Sequence, residues 1–198
     1  MTKERPIVWV DMDNTIYDFD AAILTHIPAE LHVERANFHI VDDYSQELRT
    51  TIQDIYNAPD FFHGLHLIEG VKESWQAMID AGYDPRILSA PVSSNSMSIE
   101  GKRAALERDM VPEFGPSILD DARFDKDKWK YDGVALFDDR PTVGVNPESG
   151  EAPWEHILYG WAHLSEVPMS RAAFRLLSWY NSKDTIRILD TVQDLRSV

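Results

Sequence analysis

Apolar positions recur along the chain in two rhythms. Ile7–Val10 is an unbroken apolar run that stops abruptly at Asp11-Met12-Asp13-Asn14-Thr15. A run so short, bounded by polar turn formers, predicts a buried strand. Pro85–Ala90, Val134–Phe137 and His156–Tyr159 repeat the pattern, and Ile118–Leu119 predicts a further short strand. The other rhythm is helical. Val71–Ala81 puts Val71, Trp75, Met78 and Ile79 on one side and closes at Gly82, where a helix can terminate in the left-handed region. A Ser-rich loop, Pro91–Ser98, precedes a predicted helix over Ile99–Asp109. Between the first strand and Val71, the stretch from about Asp20 to Phe62 reads as mainly helical, including Leu31–Phe38 and Tyr44–Ile55, with breaks at Pro28 and Pro59. The tail predicts a helix near Arg171–Tyr180 and another near Thr191–Arg196.

Strands alternating with helices indicate an α/β fold, a doubly wound parallel sheet covered on both faces. In such sheets ligands bind outside the carboxyl ends of the strands. Three predicted strand ends carry polar groups: Asp11 and Asp13, then Ser89, then Asp138 and Asp139. Lys102 and Lys128 lie in the connecting segments. The fold therefore predicts that residues distant in sequence share one edge.

Composition narrows the picture. At 198 residues and 43% hydrophobic content the chain supports one cored domain, with room for a small insertion. The formal net charge of −15 opposes tracking along a nucleic-acid backbone, so no stable nucleic-acid complex is expected. A small phosphorylated substrate remains compatible, because a metal ion and local cations outweigh the overall field. The absence of cysteine excludes thiol catalysis and thiolate metal sites. No run of about 18 apolar residues predicts a membrane span, and no secretory leader is evident, so a cytoplasmic location is expected. No His-x-x-x-His pair suggests imidazole ligands.

The strand-end residues suit phosphomonoester hydrolysis. A carboxylate nucleophile divides one difficult displacement into two easier ones. Clustered carboxylates suit Mg²⁺, a hard cation that takes oxygen ligands. A lysine offsets the charge that repels an attacking carboxylate, and a second acid near the nucleophile can protonate the leaving oxygen. Plainer readings stand beside these. Asp18 and Asp20 fit helix capping or solvation, Asp120-Asp121 fits a turn, Lys102-Arg103 fits an exposed helix face, and Phe38 and Phe61 fit ordinary core.

Asp11-Met12-Asp13-Asn14-Thr15 matches the Asp-x-Asp-x-Thr signature of the haloacid-dehalogenase (HAD) phosphatases. Ser89 resembles their second motif, and Phe137-Asp138-Asp139 their acidic fourth. More closely, Asp11–Phe19, Phe61-Phe62-x-x-Leu65, Leu88–Pro91, Asp127-Lys128 and Pro153–Leu158 resemble the 5′(3′)-deoxyribonucleotidases. This likeness spans Ile7 to Tyr159. It implies a HAD-like core over residues 1–18 and 66–198 and a small helical cap over 19–65. It implies Asp11 as nucleophile and Asp13 as general acid/base. Mg²⁺ would be held by Asp11, the Asp13 carbonyl and Asp138, with Asp139 in support. Ser89 would bind the phosphate, with Lys102 and Lys128 as active-site lysines. Phe19, Phe38, Ile40 and the Phe61-Phe62 pair would form a base pocket. The implied substrate is a small nucleotide, a (deoxy)ribonucleoside monophosphate, and the implied assembly a homodimer. Departures from the family pattern are Ser89-Ala90-Pro91 for Thr-Ser-Pro, His39 for a pocket tryptophan, Asn14 for glycine and Lys126 for arginine. Two other readings stay open: a HAD phosphatase for another small phosphate ester, and a catalytically silent nucleotide-binding module.

Overall fold

The computed structural model describes residues 4–160 and 172–196. Six strands, β1 (Ile7–Val10), β2 (Asp84–Ser89), β3 (Arg123–Phe124), β4 (Ala135–Asp138), β5 (Glu155–Tyr159) and β6 (Phe174–Leu176), form one sheet in the order β3-β2-β1-β4-β5-β6. Every pairing is parallel. From β1 the chain builds outward to β3, then returns to the other side of β1 with β4. The order reverses between β1 and β4, the position where a doubly wound sheet leaves a crevice. The registers Val10↔Ile87 and Val10↔Phe137 bring three strand ends level.

The segments between β1 and β2 and beyond β2 supply the cover. Helix α1 (Phe19–Leu24) and helix α2 (Gln46–Asn57) lie between β1 and helix α3 (Val71–Asp80). Asp18 caps α1 by accepting from the Ala21 N–H at 3.0 Å, as read from the sequence. Residues leaving β1 meet those returning to α3: Ile68 N–H donates to Ile16 O at 2.8 Å and Asp18 N–H to His66 O at 3.0 Å. One continuous apolar cluster runs from Val8 and Val10 through Ile23, Ile40, Ile52, Phe62 and Trp75. Helix α4 (Ser98–Asp109) follows β2, then two short helices, α5 (Val111–Phe114) and α6 (Ser117–Asp120). Helix α7 (Ser182–Arg196) packs on α3. No described helix is long and apolar enough to cross a membrane.

Three local expectations fail, and a fourth, the tail helix, holds with an earlier start. Ile118–Leu119 lies in α6, and the strand forms at Arg123–Phe124, where β3 needs only two residues to pair Leu88 and Ser89. Leu31–Phe38 is not helical beyond a single 3₁₀ turn over Ala29–Leu31, because local hydrogen bonds to the Asp43 side chain hold it open. Of the helix expected near Arg171–Tyr180, Arg171 lies outside the described residues and Phe174–Leu176 is β6, its backbone claimed by pairing with β5. The short tail helix is the last part of the longer α7.

The tail folds back to brace the sheet edge. The Trp179 indole donates to Thr15 O at 2.6 Å and stacks on Tyr159 with centroids 5.2 Å apart. Ser74 Oγ donates to Trp179 O at 2.9 Å. Gly70 makes this approach feasible: its φ is 86°, and an added Cβ would sit 2.7 Å from the Trp179 carbonyl carbon. Gly70→Ala is therefore expected to lower unfolding free energy by about 2–4 kcal/mol in urea denaturation, combining strain with a backbone clash; a loss below about 1 kcal/mol would contradict this packing.

Candidate active site

At the carboxyl edge, β1 delivers Asp11 and Asp13, and β4 delivers Asp138 and Asp139. Lys128, from the 3₁₀ turn Lys128–Lys130, lies between them. Its Nζ is 2.7 Å from Asp11 Oδ1 and 2.5 Å from Asp138 Oδ2. Both pairs are almost wholly removed from water. Burial pushes the Asp11 carboxyl up, and neighbouring Asp138 and Asp13 push it the same way against Lys128. For Asp138 burial also acts upward, but Lys128, His156 and the Arg140 N–H outweigh it and hold the carboxyl below its usual range. Burial works against the Lys128 ammonium, yet its two carboxylates raise its pKa overall.

Lys102, on α4, is fully buried and serves another partner. Its Nζ donates to Asp13 Oδ2 at 2.8 Å, Ser89 Oγ at 2.9 Å and Ala90 O at 2.7 Å. An ammonium has three donors, so the protein engages all of them. α4 reaches this depth because Gly101 lies against Phe62, whose Cβ would be 2.8 Å from a Cβ at Gly101. The exposed-face reading of Lys102 is thereby excluded. Thr15 closes the constellation, its Oγ1 accepting from the Asp139 N–H at 3.2 Å.

A cavity of about 400 Å³ opens onto this edge. Asp11, Asp13, Lys128, Asp138 and Asp139 form its polar end; Phe19, Phe38, Ile40, Val41 and Tyr56 form much of an apolar wall. Its size and mixed lining are those of a small-molecule site. Phe61 and Phe62 are not on this wall. They pack behind Phe19, with centroids 5.2 and 6.0 Å from its ring, and Phe62 supports Lys102 with its ring centre 5.2 Å from Nζ. Ser89 is likewise absent from the wall, standing behind it as an acceptor for Lys102, while Ala90 and Ser93 reach the cavity. Tyr56, Asn14 and Arg140 line it without having been singled out for the site from sequence. Arg140 directly follows the acidic pair, and its guanidinium lies 5.3 Å from the Phe38 ring centre. His156 packs behind Asp138, 3.5 Å from its carbonyl oxygen, and burial lowers its pKa.

Asp11, Asp138 and Asp139 each offer one carboxylate oxygen, all within 4.8 Å of one another. An all-oxygen, anionic donor set fits a hard divalent cation.

No protein-family model matches the chain. The human cytosolic-type 5′(3′)-deoxyribonucleotidase is 30% identical over 195 residues, covering 93% of each chain. The chain belongs to the 5′(3′)-deoxyribonucleotidase family. Its members are phosphoric monoester hydrolases, and this chain is an enzyme of that class. A Bordetella pertussis protein provisionally named 5′(3′)-deoxyribonucleotidase is 29% identical over 160 residues, covering 77% of this chain and 82% of that protein. The fold is that of HAD hydrolases. One from Bacillus subtilis, determined with magnesium bound, superposes with a TM-score of 0.56 at 13% identity, over 95% of this chain and 100% of that one. Another from Deinococcus radiodurans, with phosphate and sodium bound, gives 0.54 at 14% identity, over 94% and 97%.

Removing one partner of a buried ion pair leaves uncompensated charge. Lys128→Met is expected to cost about 3–5 kcal/mol of stability at neutral pH in chelator, measured by urea denaturation. Lys102→Met should cost less, because Asp13 keeps 24% of its side-chain surface in water; the reverse ranking would contradict the charge arrangement.

Proposed function

We propose that this deoxyribonucleotidase-family enzyme is a Mg²⁺-dependent phosphatase that hydrolyses (deoxy)ribonucleoside monophosphates through a phosphoryl group carried on Asp11. The observation behind this reading is one juxtaposition. Four carboxyl groups and Lys128 line the polar end of a cavity whose other wall carries Phe19, Phe38 and Ile40. The human relative's name, a 5′(3′)-deoxyribonucleotidase, points to the same substrate class.

In this reading Asp11 attacks phosphorus and forms an acyl phosphate, splitting hydrolysis into two displacements. Lys128 lines the cavity, as Lys126 also does, and in this reading meets the phosphoryl charge, whereas Lys102 is saturated by protein acceptors. Asp13 presents two different oxygens. Lys102 holds Oδ2, while Oδ1 is buried with no hydrogen-bond partner. Lys102 thus fixes the carboxyl, and in this reading Asp13 gives a proton to the departing alkoxide and later takes one from water. Asp11, Asp138 and Asp139, with the Asp13 carbonyl, would hold Mg²⁺, which supplies charge stabilisation at the phosphoryl oxygens. The apolar wall suits the flat face of a base, stacked near Phe19 and Phe38. Residues 19–65 act as a small cap over the core formed by 1–18 and 66–198, excluding water as it settles on the substrate.

Phosphate release from a panel of 5′- and 3′-nucleoside monophosphates, sugar phosphates and an aryl phosphate tests this. Nucleotides should be the preferred substrates, activity should vanish in EDTA and return with Mg²⁺, and Asp11→Asn should lose turnover by about 10³-fold or more. Preference for sugar phosphates would favour another small ester, and inactivity on all substrates a silent binding module. Asp13→Asn should slow nucleotide hydrolysis far more than that of the aryl phosphate, whose leaving group needs little protonation; equal losses would remove the general-acid role.

A further inference from the structure

Asn14 is the only non-glycine residue with positive φ among the described residues, at 52°. Asparagine tolerates this region better than most residues, but glycine does so at less cost. The asparagine side chain makes contacts that glycine cannot. Its Nδ2 donates to Asp20 Oδ1 at 3.0 Å, and its Oδ1 accepts from the Asp20 N–H at 3.0 Å. Asp20 uses its second oxygen to accept from Arg35 Nε at 2.7 Å. Arg35 then donates from Nη1 to Asp43 Oδ2 at 3.0 Å and from Nη2 to Phe38 O at 2.8 Å. Asp43 Oδ1 in turn accepts from the N–H groups of Ala36 and Asn37. Asp20, read from sequence as capping or solvated, is thus one link in a buried chain.

This chain has defined ends. Asn14 directly follows Asp13 in the β1 loop. Arg35 and Asp43 bracket the segment, ending in a 3₁₀ turn over Ile40–Asp43, that presents Phe38 and Ile40 to the cavity. Side-chain exposure is only 11% for Arg35, 13% for Asp20 and 3% for Asp43, so solvent screening is slight. The planar guanidinium fixes the angles among its three acceptors, which a flexible ammonium would not. Four linked groups therefore tie the wall to the loop; Asn14 and Asp20 also line the cavity, whereas Arg35 and Asp43 stand behind it.

We propose that Asn14 is a positioning residue that, through Asp20 and Arg35, holds the Phe38–Ile40 wall in register with the Asp11–Asp13 loop and so sets the grip on the nucleoside part of the substrate. The inference rests on the nucleotide reading given above for what the wall binds, but the mechanical link is independent of it. A brace that served only folding would affect every substrate alike. A positioning link affects a nucleotide, which reaches the wall, and spares a small ester, which does not.

The test compares wild type, Asn14→Gly, Arg35→Gln and the double variant. Asn14→Gly keeps the backbone conformation accessible and remains informative if Arg35→Gln folds poorly. Two measurements are made: steady-state kinetics with deoxyuridine 5′-monophosphate and glycerol 2-phosphate, and amide hydrogen exchange over residues 36–43. Each single variant should raise KM for the nucleotide by about tenfold with a smaller change in kcat, and Arg35→Gln should leave glycerol phosphate kcat/KM within about twofold. Exchange over 36–43 should quicken in both. The double variant should be little worse than the more damaging single one, since both break one chain. Unchanged exchange and KM in Asn14→Gly, equal losses on both substrates, or full additivity would each overturn the proposal. A wild type that cleaves only the glycerol phosphate would refute the nucleotide reading, while the exchange data would still decide whether the link exists.

Discussion

Lys128 stands between Asp11 and Asp138, and the carboxyl edge of the sheet depends on that placement. Parallel strands brought level at β1 and β4 must put their terminal acids close together, because strand spacing is fixed by the ladder at about 4.8 Å. Like charges at such distances, away from water, destabilise the fold unless a cation lies among them. Lys128 answers that constraint for Asp11 and Asp138, and Lys102 does so for Asp13. Much of the surrounding architecture serves these two ammonium groups. α4 packs closely at Gly101 so that Lys102 can reach inward, and Phe62 backs its Nζ.

The rest of the site is fixed by contacts from distant segments. Thr15 accepts from the Asp139 N–H through its hydroxyl and from Trp179 through its carbonyl, so one residue ties β1, β4 and the tail together. On the other side, Asn14 reaches the Phe38–Ile40 wall through Asp20 and Arg35. Adjacent residues of a single loop thus face opposite tasks, one bracing the sheet edge and one the cavity wall. Buried polar chains of this kind hold geometry well because any broken link leaves a desolvated group without a partner.

Legibility in the sequence followed the range of the forces involved. β1, β2, β4, β5 and α3 were readable because apolar runs and helical periodicity are local signals. The convergence of Asp11, Asp13, Asp138 and Asp139 was readable because parallel topology alone brings strand ends together. β3 was not readable, since a two-residue strand takes its conformation from its neighbour rather than its own composition. Nor was β6, whose Phe174–Leu176 is too short to separate from a helical pattern. The Arg35 network left no periodic trace: Asp20, Arg35 and Asp43 look like ordinary surface charges until the fold brings them together. The Phe61-Phe62 pair shows the opposite failure. Its aromatic character suggested a pocket, but both rings pack behind Phe19, and only the tertiary arrangement distinguishes a wall from its backing.

The central claim is that the phosphoryl group passes through the Asp11 carboxylate. Its most direct test is acid quenching during turnover of a deoxypyrimidine nucleoside monophosphate with Mg²⁺, followed by peptide mass spectrometry with borohydride trapping of acyl phosphates. The account predicts a trapped adduct on the peptide Ile7–Thr15, localised to Asp11 and absent from Asp11→Asn. An adduct localised to Asp13 would contradict it, as would full turnover by Asp11→Asn.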